Sequence, residues 1–243
     1  GLGDVYKRQD YVSVIHQAPE AVQKILCSQA HHKKIDGHAP GLSGLALNAY
    51  IAAGVYSDHE CFTFENALEK LQKGQFIMIR EGTAAKNLKA LLPLMNQQYY
   101  SRLMFATDDK HPSDLLHGGH IDYIVKSAIS LGVDPIIAMK VASHNAARYF
   151  LMNNKGAIAP GYLADFVIFD NFRNFEIQTV IKKGKVVAQG GKALDFPNPE
   201  VPFTLEAAAR DTFHLADITP DQLRCHRPLG RLGLIPGELV TRN

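Results

Sequence analysis

Strand-like apolar runs recur in this chain at nearly constant intervals, with helical stretches between them. The runs begin near residues 34, 55, 76 and 102, so the intervals are 21, 21 and 26 residues. Each interval holds one helix and two short loops. Repeated βα units give parallel strands joined by right-handed crossovers. An open doubly wound sheet and a closed barrel both satisfy the pattern, and four units make half of an eight-fold barrel. The run FIMIRE over 76–81 is nearly continuous in apolar residues, as strands covered on both faces are.

The helical stretches carry their own start and stop signals. Pro19 opens PEAVQKILCSQAHHKK, which sets Val22, Ile25 and Leu26 on one face. Ser43 is placed to cap SGLALNAYIAAG, and Gly54 ends it. Thr63 opens TFENALEKLQKG, TAAKNLKALLPLMNQ reads as one helix, and the segments GHIDYIVKSAISLG and DPIIAMKVASHNAARYF continue as helix. From Gly156 the texture changes to short β-rich runs with glycine turns, GAIAPGYLADFVIFD and EIQTVIKKGKVVAQGGKAL. The expected division is therefore an assembly scar over 1–9, a βα-repeat domain over 10–152, a small β domain over 153–195, and over 196–243 a Pro-rich linker leading into a further unit.

Composition excludes several classes. The 243 residues are 46% hydrophobic and 21% charged, an ordinary globular balance. No apolar run reaches membrane-spanning length, so no membrane association is expected. The 26 Lys+Arg nearly match the 24 Asp+Glu, which gives no basic face for nucleic acid. Cys27, Cys61 and Cys225 are isolated, so neither a disulfide frame nor a thiolate zinc site is expected, and a reducing cytoplasm is the simplest setting. There is no PCxxC, no GxSxG and no GxxxxGK[ST], which disfavours the cytidine-type deaminase fold, serine hydrolysis and a phosphate-binding loop.

Chemistry gathers where strands end. The first predicted strand runs into Asp36-Gly37-His38-Ala39-Pro40-Gly41, the second into Ser57-Asp58-His59-Glu60, and the fourth into Ala106-Thr107-Asp108-Asp109. In a barrel the carboxyl ends of the strands share one mouth. His38, His59 and Asp108 would then converge there as nitrogen and oxygen donors for a divalent ion.

The run DGHAPGLSGLALNAYIAAGVYSDHE, followed by MIREGTAAKNL, ATDD and HGGHIDYIVKSAI, closely resembles the bacterial-type adenine deaminases of the amidohydrolase superfamily. GAIAPGYLADFVIFD is similar to that superfamily's small β domain, and LGRLGLIPGELVTRN to the opening of a C-terminal domain. The resemblance implies the C-terminal half of a (β/α)8 barrel, with His38, His59 and Asp108 as metal ligands. It also implies an upstream HxH pair and a bridging carboxylate, which would complete a binuclear centre of Mn2+ or Fe2+, with Zn2+ also admissible.

The implied reaction is hydrolysis of adenine to hypoxanthine and ammonia by metal-activated water in a cytoplasmic homo-oligomer. Asp108 would move protons, with Glu60 and Glu81 as acids for a ring nitrogen. Arg80, Asp109 and His120 would orient these groups or bind substrate. Two alternatives stand beside this reading. One is a dihydroorotase-like or imidazolonepropionase-like cyclic amidohydrolase; the other is a catalytically inactive relative acting as a binding protein. Without the upstream ligands the isolated piece is expected to be inactive, and half a barrel exposes strand edges and an apolar interior, so aggregation or dependence on the missing half or a partner chain is expected.

Overall fold

The computed structural model describes residues 6–194, 200–212, 214–224, 233–234 and 241–242. Its centre is a parallel sheet of five strands in sequential order: β1 (Tyr6–Asp10), β2 (Lys34–His38), β3 (Ser57–Asp58), β4 (Phe76–Arg80) and β5 (Leu103–Ala106). Helices α1 (Tyr11–Ile15) and α2 (Pro19–Ala30) link the first two strands. Helices α3 (Gly44–Ala52), α4 (Phe64–Gln72) and α5 (Leu88–Leu91) make the next three crossings. Four of these strands are the ones the repeat spacing predicts.

The repeat spacing does not predict the fifth strand: residues 6–10, of which 6–9 fall in the stretch expected as a scar, pair in parallel with Lys34–His38 along their whole length. Backbone pairing does not need an apolar period, and YKRQD offers none.

The strand parity sorts the sheet into two faces. Ile77, Ile79, Leu103 and Phe105 lie in the main core with Leu71, Leu91, Ile124, Val125 and Ile137 from the helices. The register aligns Asp36 with Ser57, Ser57 with Phe76, and Met78 with Met104. Those residues share the opposite face, where Met78 and Met104 pack on Tyr149. Arg80 has the parity of Met78. The candidate site and the helical core therefore use alternate residues of the same strands.

After β5 the chain is helical, as expected: α6 (Pro112–Gly118), α7 (Ile121–Ser130), α8 (Pro135–Met139), a π-turn over Lys140–His144, and α9 (Asn145–Tyr149). Three sequence expectations need adjustment. TAAKNLKALLPLMNQ is not one helix: only Leu88–Leu91 is α-helical, with a 3-10 turn over Leu92–Leu94. Pro93 has no N–H to give to an α-helical ladder, which stops the helix there. In α2 the inward residues are Ala21, Ile25 and Ser28, while Val22 and Leu26 remain exposed. The α6 helix has no counterpart among the predicted elements.

A four-stranded antiparallel sheet follows, in the order β6 (Phe166–Phe169), β7 (Ile177–Lys182), β8 (Lys185–Gln189) and β9 (Lys192–Ala193). Phe175, between β6 and β7, is buried in the main core and fastens this sheet to the helices. Beyond it lie the exposed α10 (Phe203–Arg210) and a short ladder of β10 (Gly233–Leu234) with β11 (Thr241–Arg242). Cys225, and most of the segment 229–243 that resembles the opening of a C-terminal domain, lie outside the described residues. Among the described residues no helix is long and apolar enough to cross a membrane.

Gly37 marks the tightest point of the sheet at the site. A Cβ there would lie 2.5 Å from the Ser57 carbonyl oxygen and 3.1 Å from the Tyr50 hydroxyl. Gly37→Ala must push β2 away from β3, and is expected to cost about 1–3 kcal/mol. A thermal melt of that variant checks this; an unchanged melting temperature would show that the strand pair has slack.

Candidate metal centre

The two histidines predicted at strand ends do meet. His38 closes β2 and His59 follows β3, and their ring centroids are 5.6 Å apart at 56°. Their carboxylate companion is Glu60. His38 Nδ1 lies 3.2 Å from Glu60 Oε1, and His59 Nε2 also lies 3.2 Å from that oxygen. Neither contact, from His38 Nδ1 or from His59 Nε2, has hydrogen-bond geometry. Ligand atoms from His38, His59 and Glu60 fall within 4.8 Å of one another, a spread that one ion can gather. Two imidazole nitrogens and a carboxylate oxygen suit zinc, manganese or iron.

Asp108 is not in that group; it stands one nitrogen away. Arg80 grips Glu60 with both ends of its guanidinium, Nη1 to Oε1 at 2.7 Å and Nη2 to Oε2 at 2.9 Å. The same Nη1 donates to Asp108 Oδ2 at 2.9 Å. Asp108 adopts φ of 48°, the left-handed region that non-glycine residues seldom enter. Such strain persists only where the surroundings enforce it. Burial alone would raise the Glu60 carboxyl. The close His59 ring, the Arg80 hydrogen bonds and the charges of both outweigh burial and hold it at about 2. Glu60 is therefore ionised at neutral pH.

A buried clamp fixes both histidine-bearing strand ends. Asp58 and Lys70 are fully buried, with Lys70 Nζ 2.5 Å from Asp58 Oδ2. Lys70 also donates to the Ala39 carbonyl at 2.6 Å, and the Ala39 N–H donates to Asp58 Oδ1 at 3.1 Å. One ion pair thus ties the residue after His38 to the residue before His59. The Tyr50 hydroxyl accepts from the His38 N–H at 3.0 Å. Cys61 completes this layer; burial, then the Asp58 charge, pushes its thiol well up, so it stays protonated. Sequence reading passed over Asp58 and Lys70. The only signal was an acid inside the SDHE run and a lysine on the apolar side of α4.

The remaining predicted site residues separate. Glu81 is buried, and its Oε1 accepts from the Leu88 N–H at 3.1 Å, where it ends the loop before α5. Burial raises its carboxyl above the ordinary range. Glu81 is not drawn into the histidine group. Asp109 holds the loop after β4: its Oδ2 accepts from the N–H groups of Ala84 at 2.9 Å and Ala85 at 3.4 Å. A side chain at Gly82 would collide with Asp109 Oδ1, so the glycine lets the carboxylate in. His120 is exposed, with Nε2 3.2 Å from Thr107 Oγ1, beside the strand end but outside the histidine group.

The chain matches the model of the amidohydrolase family over residues 13–187. It is 48% identical over 207 residues to an adenine deaminase of Kosmotoga olearia, which covers 83% of this chain and 35% of that protein. An adenine deaminase 2 of Carboxydothermus hydrogenoformans is 43% identical over 245 residues, covering 100% of this chain and 41% of the relative. Among solved structures, an adenosine deaminase of Xanthomonas campestris with bound zinc superposes with a TM-score of 0.52 at 12% identity, over 84% of this chain and 54% of that one. That likeness speaks for the fold alone. The chain spans about two fifths of the length of the relatives it matches, or less.

Proposed function

The chain belongs to the amidohydrolase family, and from that premise we propose that it is part of a metal-dependent adenine deaminase. The observation that carries the reading is the meeting of His38 and His59 with an ionised carboxylate at the ends of parallel strands. The sequential parallel order of β1–β5 supports the C-terminal half of a (β/α)8 barrel, with the antiparallel sheet as its small β domain. The substrate follows from the adenine deaminases that the chain resembles at 43% and 48% identity. A cytoplasmic, homo-oligomeric parent goes with this reading; Cys27 and Cys61 are free thiols, as a reducing compartment requires.

His38 and His59 would hold a divalent ion, manganese or iron in the first place and zinc as a further candidate, with Asp108 as the carboxylate. Arg80 Nη1 lies between Asp108 and Glu60, in the position where a cation neutralises both. Such an ion, when bound, lowers the pKa of water toward neutrality and so supplies a nucleophile. Asp108 would take a proton from the attacking water and give it to the departing amine. Glu81, whose carboxyl burial raises, would be the acid that hydrogen-bonds a ring nitrogen and makes C6 of the purine more electrophilic; Glu60, held ionised, can only accept. Arg80 fixes the angle between the two carboxylates, while Asp109 and His120 shape the loops above them. The upstream HxH and bridging carboxylate would belong to the longer protein.

The test uses the full-length parent. Ammonia release from adenine is measured beside dihydroorotate and imidazolone propionate, with metal content read on the same samples. Adenine turnover with bound metal supports the reading. Turnover of a cyclic amide alone would move the assignment to the other hydrolases, and an empty site would favour a binding protein. Asp108→Asn is expected to lower turnover by 10²-fold or more, about the contribution of a positioned acid–base group. Loss of metal in Asp108→Asn but not in Glu60→Gln supports Asp108 as ligand; the reverse gives that place to Glu60.

A further inference from the structure

The end of the sheet away from the histidines opens into a cavity that the proposed reaction does not use. Lys34 begins β2, the strand that His38 closes, and Phe76 begins β4, the strand that Arg80 closes. Both line a cavity of about 460 Å³, together with Tyr100, which lies just before β5. Lys140, His144 and Arg148 close it from the helical side. The volume is that of a small-molecule site, ~300–1,000 Å³. The length of β2 puts the cavity roughly 13 Å from the candidate metal centre.

The charge of this cavity is one-sided. Lys34, Lys140 and Arg148 line it, and no acid does. Among the described residues none of the three is in an ion pair. Lys140 and Arg148 lie on the same side of the helical run, with His144 midway between them. An acid at that middle position would pair with both, four residues away in each direction. Aromatic rings hold the lysines instead. Lys34 Nζ lies 5.3 Å from the Tyr149 ring centroid and 6.0 Å from that of Tyr56, and Lys140 Nζ lies 5.2 Å from that of Tyr100. A ring attracts an ammonium through its face but does not neutralise it. The positive charge therefore stays in place for an anion.

We propose that this cavity binds a phosphate-bearing small molecule, with Lys34, Lys140 and Arg148 around the phosphate. A phosphate monoester carries about two negative charges at neutral pH, which matches cations that have no counter-charge. Arg148 offers a planar fork to two phosphate oxygens, and the lysines act as point charges. The walls are set before a ligand arrives. Asn145 donates from Nδ2 to the carbonyls of Tyr100 at 2.6 Å and Leu103 at 2.9 Å. The Tyr149 hydroxyl donates to Ser57 Oγ at 2.7 Å, and its ring packs against Phe76 with centroids 4.9 Å apart. The π-turn over Lys140–His144 carries two of the lining side chains, and such turns are frequent at functional sites. None of these lining residues belongs to the metal centre, so the proposal stands independently of the deaminase reading. Free phosphate and a nucleoside monophosphate share the chemistry, and the titration separates them.

Isothermal titration calorimetry of the full-length parent at low ionic strength, with inorganic phosphate and with adenosine monophosphate, is the test. Saturable binding is expected, and it should weaken as sodium chloride is raised. In K140Q/R148Q the dissociation constant should rise about 10- to 100-fold, the contribution of hydrogen bonds to a charged group. R148K keeps the charge but loses the fork, and its constant should fall between the two. Lys140 and Arg148 are exposed, so these changes leave the core intact, and an unchanged melting temperature checks it. K185Q/K192Q removes two exposed charges from the antiparallel sheet and should bind like the unsubstituted protein. The tighter of the two ligands identifies the source of the phosphate. No saturable binding of either one overturns the proposal, as does an equal loss in K185Q/K192Q. Binding that persists in K140Q/R148Q but is displaced by excess hypoxanthine places the anion in the metal centre, and likewise overturns it.

Discussion

Lys70→Met is expected to lower the folding free energy by about 3–5 kcal/mol, the cost of leaving a buried charge without its partner. The partner is Asp58, which is fully buried. Its other contacts, the Ala39 N–H and the Cys61 thiol, are neutral donors and cannot balance a full charge. The methionine fills most of the lysine stem's volume, so the loss reports the ammonium rather than a cavity. The D58N/K70M double variant removes both charges and should recover much of the loss, because replacing a buried pair costs far less than breaking it. Urea unfolding of the three proteins gives the comparison. Free energies within about 1 kcal/mol for Lys70→Met and the original chain would mean that the pair does not brace these strands. Lys70→Met should also weaken cobalt binding, since the clamp spans the residues next to His38 and His59.

The strands and the two histidines were legible because their signals are local. A parallel strand covered on both faces reads as an apolar run, and a histidine at its carboxyl end needs only the repeat spacing to be placed. The pairs that brace the site were not legible. Asp58–Lys70 spans 12 residues, Glu60–Arg80 spans 20 and Ser57–Tyr149 spans 92, and no periodicity marks any of them. Strand β1 was missed because an edge strand held by backbone bonds has no need of apolar alternation. Glu81 looked like an acid at a barrel mouth because it follows β4. Its carboxylate instead meets the first N–H of α5, a use that depends on where the next helix starts. Asp108 was placed at the correct strand end, yet the nearer carboxylate to the histidines is Glu60, one residue beyond His59.

In the metal-free chain, Arg80→Met is expected to invert the pH dependence that Glu60 contributes. In the native protein the Glu60 carboxyl is held at about 2, against 4.5 for an unperturbed group. A depressed carboxyl stabilises the fold above its unfolded pKa, and that contribution is lost as pH falls from about 4.5 toward 2. Its size is on the order of 3 kcal/mol. Without Arg80 its hydrogen bonds and charge are gone, His59 alone is left to oppose burial and the neighbouring Asp108, and the carboxyl rises. Asp108 loses the same donor, so two neighbouring carboxylates face each other across the vacated guanidinium position. Ionising them now costs stability, and the variant should become less stable as pH rises above 4.5. The gap between the two proteins is therefore widest near neutral pH and closes toward pH 2, which urea unfolding in chelator at several pH values will show. A constant gap would mean that Arg80 acts by packing alone. Cobalt(II) should reverse part of the loss at neutral pH, because a dication meets the imidazoles and both carboxylates with no guanidinium competing for them. A variant that is destabilised but gains nothing from cobalt would place the ion elsewhere than among His38, His59 and these two acids.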